Sequence, residues 1–127
     1  MTSVTPQLMF QGAVADAIAL WSLAFGDLQA QTLMGGDQPS YVRITLAGQT
    51  LLLFDSPVRH DFTFTPAISL MVTCDGAPEV DRLARILGDG GQILMPLDAY
   101  DFSPRYTWIS DRFGVSWQLM LPPIDET

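Results

Sequence analysis

The sequence contains no lysine, so every basic residue is an arginine. Six arginines stand against fourteen acidic residues, which gives a formal net charge of −8. A surface of this sign repels phosphate backbones and anionic headgroups, so we expect no nucleic-acid partner and no membrane partner. The single cysteine, Cys74, excludes an internal disulfide framework and a cysteine-based zinc site.

Long apolar runs are also missing. The longest apolar stretch, residues 13–25, is interrupted by Asp16 and Ser22 and is too short to span a bilayer. The N-terminus shows no basic segment followed by an apolar one, so we expect no secretory signal and a cytoplasmic location. What is present is a chain of 127 residues, 48% hydrophobic, which suffices to bury one core.

The hydrophobic pattern predicts one order of elements twice, namely a strand, a helix and three strands. Apolar residues recur at helical spacing over residues 13–25 and again after Pro78, which suits the first turn of a helix. Residues 41–54 and 106–120 echo each other, since both run from an aromatic-led strand through a glycine turn to an apolar strand. The predicted strands are 7–11, 28–34, 40–46, 49–54, 67–74, 92–97, 106–110 and 115–121.

Two halves with this order predict an α+β fold of paired βαβββ modules. We expect one domain over residues 1–127, because two copies of about sixty residues are too few and too long for a solenoid. The first module covers about residues 4–55, and a connector covers residues 56–63. The second module covers about residues 64–122.

Four segments also carry a resemblance to a known group of proteins. The chain resembles the vicinal oxygen chelate superfamily, which includes glyoxalase, bleomycin-resistance proteins and extradiol dioxygenases. Within it the chain is similar to the PhnB-like branch, which is labelled as 3-demethylubiquinone methyltransferase-like. The segment DRFGVSWQ is the most specific of the four. The matching segments are residues 6–10 with the helix that follows, 64–70, 79–83 and 111–118.

The resemblance implies positions for a metal. In metal-dependent members each half supplies one ligand from its first strand and one from its last, commonly His and Glu. Here those positions hold Thr5 or Pro6, Leu52, Ser69 and Gln118. None is a histidine or a carboxylate, and neutral oxygens alone hold a divalent transition metal weakly. We therefore predict no metal site.

The methyltransferase label implies a methyl donor such as S-adenosylmethionine. Such a donor is usually held by a glycine-rich loop between a strand and a helix. The glycine cluster at residues 88–91 instead follows a predicted helix, which is the position of a helix stop. We therefore predict no cofactor.

Five residues are the candidates for a small-molecule pocket. Strand alternation places Gln118 on one face of its strand and Val115, Trp117 and Leu119 on the other, which we expect to pack under the helix. On its own face the amide of Gln118 would orient a carbonyl or amide ligand. An amide satisfied by neighbouring strands explains Gln118 equally well. Tyr106 and Trp108 share one face of the preceding strand, and Arg43 lies on the matching strand of the first half. For the aromatic residues, packing is the more common role. The candidates are Gln118, Ser69, Tyr106, Trp108 and Arg43.

Two other reactive side chains have simpler interpretations. His60 is the only histidine and lies in the connector, where a surface role is more common than that of a catalytic base. No serine or cysteine is placed by the sequence to pair with it. Cys74 precedes a helix, which can activate a thiol, but a lone cysteine among apolar strand residues more often packs.

These observations leave three hypotheses for function. The first is a metal-independent protein that binds a small organic molecule. The second is a metal-dependent lyase, isomerase or dioxygenase of the same superfamily, with ligands not yet identified. The third is a scaffold protein without a ligand. The predicted helix at residues 13–25 is apolar nearly all round, which favours a second covered face and a homodimer.

Overall fold

The computed structural model describes residues 1–123. Contacts divide the chain into two compact units, residues 1–63 and a second unit that begins at residue 64. Each unit has a four-stranded mixed sheet and one helix, so the predicted α+β fold with βαβββ order is confirmed.

The first unit contains a sheet with the strand order β1-β4-β3-β2. β1 pairs with β4 in parallel, and the other pairs are antiparallel. The turn between β3 and β4 uses Ala47 and Gly48, both with positive φ, as a two-residue hairpin of this kind requires. The elements are β1 (Gln7–Phe10), α1 (Val14–Ala24), β2 (Gln29–Met34), β3 (Tyr41–Leu46) and β4 (Gln49–Asp55).

The core of the first unit lies between α1 and one face of this sheet. Trp21 is fully buried, and Phe10 meets it edge to face with ring centroids 6.0 Å apart. The start of α1 is held by the carboxylate of Asp55, at the end of β4. Its Oδ1 accepts hydrogen bonds from the backbone N–H groups of Gly12, Ala13 and Val14 at 2.8, 2.9 and 3.2 Å. Asp55 thus acts as the cap of a helix that lies some forty residues earlier in the chain.

The second unit repeats this topology with the order β5-β8-β7-β6. Pro78 lies in the first turn of its helix, as predicted. Asp81 of this helix forms an ion pair with Arg105 at 2.6 Å, which ties the helix to β7. The elements are β5 (Leu70–Thr73), α2 (Ala77–Gly88), β6 (Gln92–Tyr100), β7 (Ser103–Ser110) and β8 (Ser116–Met120).

Three predicted strand boundaries are wrong by three residues. The strand predicted at residues 67–74 begins only at Leu70. β6 continues past the predicted end at residue 97 to Tyr100, so Asp98 lies in a strand and not in a loop. β7 begins at Ser103, before the predicted start at residue 106. Pro96 lies within β6, which is an edge strand, and an edge tolerates a residue without an N–H group.

The outer surface of α1 carries an apolar side chain that is exposed to solvent in this unit. Leu23 is 71% exposed, and Ala15 and Ala19 are exposed beside it. The homodimer expected from this helix stays a prediction. Over residues 1–123, no helix is both long enough and apolar enough to cross a membrane.

Candidate functional site

The second sheet has two chemically different faces. Ile109 lies 3.7 Å from the Cβ that an alanine would have at Gly88, and α2 packs on β6, β7 and β8. With Trp117 and Leu119, which are fully buried, Ile109 therefore marks the face under the helix. Alternation puts the even-numbered residues of β7 and β8 on the opposite face, here called the distal face. The predicted orientation of Gln118 away from α2 thus agrees with the fold.

The turn before β8 fixes which residues of that strand reach the distal face. Asp111 is 2% exposed, and its Oδ1 accepts from the N–H groups of Phe113 and Val115 at 2.9 and 3.0 Å. Its Oδ2 accepts from the indole Nε1 of Trp117 at 3.0 Å. The segment DRFGVSWQ is therefore a structural unit, in which the carboxylate locks the turn and the first inward residue of β8.

Four of the five predicted pocket residues lie together in one hydrogen-bonded network on the distal face. The hydroxyl of Tyr106 donates to Oε1 of Gln118 at 2.6 Å, and Nε2 of Gln118 donates to Oγ of Ser69 at 3.1 Å. Oγ of Ser69 lies 2.7 Å from Oγ of Ser116, which accepts from Nε1 of Trp108 at 2.8 Å. These residues, Ser69, Tyr106, Trp108, Ser116 and Gln118, are called the polar network below.

Ser116 is the member that sequence reasoning missed. It is 2% exposed and joins the indole of Trp108 to the hydroxyl of Ser69. The signal was available, because alternation places Ser116 on the same face as Gln118, and a small polar residue within an apolar strand needs a partner.

Tyr106 connects the polar network to a group of aromatic rings. It meets Tyr100 and Phe102 edge to face, with ring centroids 5.5 and 4.7 Å away, and those two rings stack on each other at 5.6 Å. Burial, and to a lesser degree the neighbouring Tyr100, raises the pKa of the Tyr106 phenol. The phenol therefore stays protonated and keeps donating to Gln118.

Arg43, the fifth predicted pocket residue, belongs to the first unit. It lies on β3, is exposed, and donates from Nη1 to Oε1 of Gln31 at 2.9 Å. Within its own unit it lies near a second tyrosine–glutamine pair, in which the hydroxyl of Tyr41 donates to Oε1 of Gln7 at 2.9 Å.

The side chains present do not fit the metal that the resemblance implies. Leu52 has no donor atom, and it pairs in register with Gln7, whose amide is engaged by Tyr41. Gln118 and Ser69 offer neutral oxygens, and each already accepts a hydrogen bond inside the polar network. Across the described part of the chain, no group of three or more His, Cys, Asp or Glu residues is gathered for a metal ion.

The glycine cluster does not fit a methyl donor either. A Cβ at Gly91 would lie 2.0 Å from the carbonyl oxygen of Ser110, so this glycine lets β6 approach β7. Gly90 has φ of +79° and lies against the side chain of Arg112. The cluster packs against protein and forms no cradle between a strand and a helix.

His60 has a partner that the sequence did not predict. Its Nε2 lies 3.0 Å from Oγ of Ser56. That hydroxyl, however, donates to the carbonyl oxygen of Val58 at 2.7 Å, so Nε2 must carry the hydrogen of the first contact. The imidazole therefore donates to the serine and does not take its proton. This pair orders the connector and is not arranged as a nucleophile and base.

Cys74 packs, as its ordinary interpretation predicted. It is 3% exposed at the end of β5. Burial, followed by the neighbouring Glu79 carboxylate, raises the pKa of the thiol from its ordinary value of 9.0 to about 12. The thiolate required of a nucleophile is therefore disfavoured near neutral pH.

A cleft of about 310 Å³ lies in the second unit. Its lining includes the apolar residues Phe64, Pro66 and Leu94 and the side of Arg112. It also includes Ser110, which pairs in register with Ser116. None of the five residues of the polar network lines the cleft, so the two are separate features of this unit.

The chain matches the sequence pattern of a family described as 3-demethylubiquinone-9 3-methyltransferase over residues 2–120. No curated protein gave a significant match. Among solved structures, the PhnB protein from Bacillus cereus is 38% identical, with a TM-score of 0.87, over 94% of this chain and 99% of that one.

More distant structures share the fold. A glyoxalase-related enzyme from Fulvimarina pelagi is 18% identical, with a TM-score of 0.64, over 98% of this chain and 91% of that one. The fosfomycin resistance protein FosX from Listeria monocytogenes is 12% identical, with a TM-score of 0.67, over 97% and 92%.

Proposed function

Because the chain belongs to the 3-demethylubiquinone-9 3-methyltransferase family, in its PhnB-like form with a glyoxalase-type fold, we propose that it is a metal-independent binding protein for a small organic molecule. The single observation that carries this proposal is the polar network on the distal face. Four hydrogen bonds join five neutral side chains there, and one of them, Tyr106, packs against the rings of Tyr100 and Phe102.

The chemistry of the polar network suits recognition. Binding pockets combine apolar and aromatic walls with a few polar groups in fixed orientation. The amide of Gln118 is held at both ends, by Tyr106 and by Ser69, so it presents its remaining hydrogen in one direction. A pre-oriented amide costs less ordering entropy when a ligand binds.

The same chemistry favours binding over acid–base catalysis. The polar network contains no carboxylate, imidazole or amine, which are the groups that most often transfer protons in enzymes. Its phenol has a raised pKa and stays protonated near neutral pH.

A screen by thermal shift tests this proposal. Purified protein is heated with a library of small aromatic and carbonyl compounds, once with EDTA and once with added zinc, nickel or manganese. We expect at least one compound to raise Tm by the same amount in both series.

Two variants locate the binding. Gln118→Leu removes the central amide and should abolish the ligand-dependent rise in Tm, whereas Gln38→Leu, in an exposed loop of the first unit, should retain it. A rise that depends on added metal would refute metal independence. A library without a single stabilising compound would refute binding itself.

A further inference from the structure

The polar network contains more polar hydrogens than hydrogen bonds. Its members carry six polar hydrogens: two on the amide of Gln118 and one each on the hydroxyls of Tyr106, Ser69 and Ser116 and on the indole of Trp108. Four hydrogen bonds join them, which uses four of these hydrogens. Two hydrogens are therefore left over, and turning the Gln118 amide over does not change this number.

One of the two spare hydrogens belongs to Gln118. Its Oε1 accepts from Tyr106, and one hydrogen of its Nε2 points to Ser69. The other hydrogen of Nε2 has no partner within the polar network. Gln118 is only partly buried, so this hydrogen is within reach of a ligand on the distal face.

Burial identifies the second spare hydrogen. Between Ser69 and Ser116 either hydroxyl can donate. If Ser69 donated, the hydroxyl hydrogen of Ser116 would be left unpaired at a residue that is 2% exposed, which is costly. Ser116 therefore donates to Ser69. Both lone pairs of the Ser69 oxygen are then occupied, by Ser116 and by Gln118, and its own hydrogen has no acceptor within the polar network.

The two spare hydrogens point in different directions. One hydrogen of Nε2 lies along the 3.1 Å contact to Ser69, and the two hydrogens of a planar amide diverge by about 120°, so the spare one meets an acceptor that lies away from Ser69. Both donors are neutral, and the chain carries a net charge of −8, which opposes an anionic ligand. A neutral oxygen acceptor is the group that fits.

We propose that Gln118, held in place by Tyr106 and Ser69, donates its spare amide hydrogen to the carbonyl oxygen of a neutral ligand, such as a ketone or an ester on a flat ring. This inference rests on the proposed function, because it names the polar group of the molecule that the same site would bind. Two aromatic residues adjoin Gln118, since Trp108 pairs with it in register and the hydroxyl of Tyr106 donates to it.

Two matched fluorinated probes test the inference by fluorine NMR titration at neutral pH. The first, para-fluoroacetophenone, offers only an acceptor, and the second, para-fluorobenzylammonium, offers only donors and a positive charge. We expect the wild-type protein to bind the ketone more tightly than the ammonium. The net negative charge of the protein alone would favour the ammonium. The comparison therefore separates attraction by the net charge from hydrogen bonding to the amide of Gln118.

Variants then invert the chemistry of the site. Gln118→Glu replaces the amide NH2 group by a negatively charged carboxylate oxygen. Ketone binding should weaken about tenfold, because one hydrogen bond to the ligand is lost. Ammonium binding should strengthen, because the carboxylate attracts the positive charge. Ser69→Ala should weaken ketone binding about threefold. Gln38→Glu adds the same charge in an exposed loop and should leave ketone binding unchanged.

The outcomes separate the two proposals. Preferential binding of the ammonium by the wild type, or an unchanged ketone affinity in Gln118→Glu, would overturn the donor role of Gln118 while leaving a binding function in place. If neither probe binds but the thermal-shift library yields a ligand, the donor role is again wrong and the binding function stands. If neither experiment finds a ligand, both fail.

Discussion

The carboxylate of Asp55 gives the sharpest test of how the first unit is held together. It accepts hydrogen bonds from three backbone N–H groups at the start of α1. The N-cap residue of α1 itself makes no side-chain hydrogen bond to them. Replacing a helix cap costs about 0.5–2 kcal/mol, and hydrogen bonds to a charged group lie at the upper end of the usual range. Asp55 is half-buried, so in the variant water can form part of the hydrogen bonds that the carboxylate forms with these N–H groups. We expect Asp55→Ala to lower the free energy of unfolding by about 2 kcal/mol.

Asp55→Asn separates the charge from the acceptor. The asparagine keeps a carbonyl oxygen for the same N–H groups and loses only the negative charge at the helix N-terminus, so we expect a loss of about 1 kcal/mol. Because salt screens this charge, the difference between wild type and Asp55→Asn should shrink at high ionic strength.

Urea unfolding followed by circular dichroism measures both effects. A shift in midpoint with an unchanged slope reports stability alone, and about 2 kcal/mol corresponds to a drop in Tm of several degrees in a chain of this size. Asp61→Asn, an exposed acid in the connector, is the matched control and should stay within about 0.5 kcal/mol of wild type. Equal losses in Asp55→Ala and Asp55→Asn, or no loss in either, would refute this account of the cap.

Two further predictions concern Cys74 and Leu23. The pKa of Cys74 is raised to about 12, so the contribution of its neutral thiol is fully present below pH 9 and is lost as pH rises toward 12. Unfolding in urea should show a smaller alkaline loss of stability in Cys74→Ala than in wild type, and equal losses would contradict the assigned cause. Wild-type Cys74 should also react with Ellman's reagent at pH 8 only after unfolding. Leu23, 71% exposed on α1, lies in the expected homodimer face, so light scattering should show a dimer at micromolar concentration and a monomer for Leu23→Glu. A wild-type monomer would rule the dimer out.

The order of the elements could be predicted from the sequence because each is marked by its own period. Alternation placed Tyr106 and Trp108 on one face of their strand, and it placed Gln118 on the face of the next strand that points away from the helix. The structure joins all three through the hydrogen bonds of the polar network. The end of β6 could not be predicted, because Pro96 is compatible with a strand only at the edge of a sheet, and strand order is not visible in a local pattern.

The details of the site were less accessible. Alternation gives the face on which Ser116 lies, but its partners come from β7 and from the segment before β5, and such distant pairings are not encoded in local spacing. The contact between Ser56 and His60 arises from the conformation of the connector, for which no periodic pattern exists. Arg43 belongs to the other unit and forms its own hydrogen bond with Gln31 there.

The long edge strand β6 determines how readily this protein can aggregate by strand pairing. Ile93 is 69% exposed and Leu94 is 37% exposed on it, and an exposed edge with apolar side chains is a template for strands of other molecules. At Pro96 that template is interrupted twice, since proline has no N–H to donate and its carbonyl oxygen already accepts from the hydroxyl of Tyr100 at 2.7 Å. The pairing of β6 also shifts register between Met95 and Tyr100. An incoming strand would meet no continuous ladder, so the sheet resists growth into aggregates along this side.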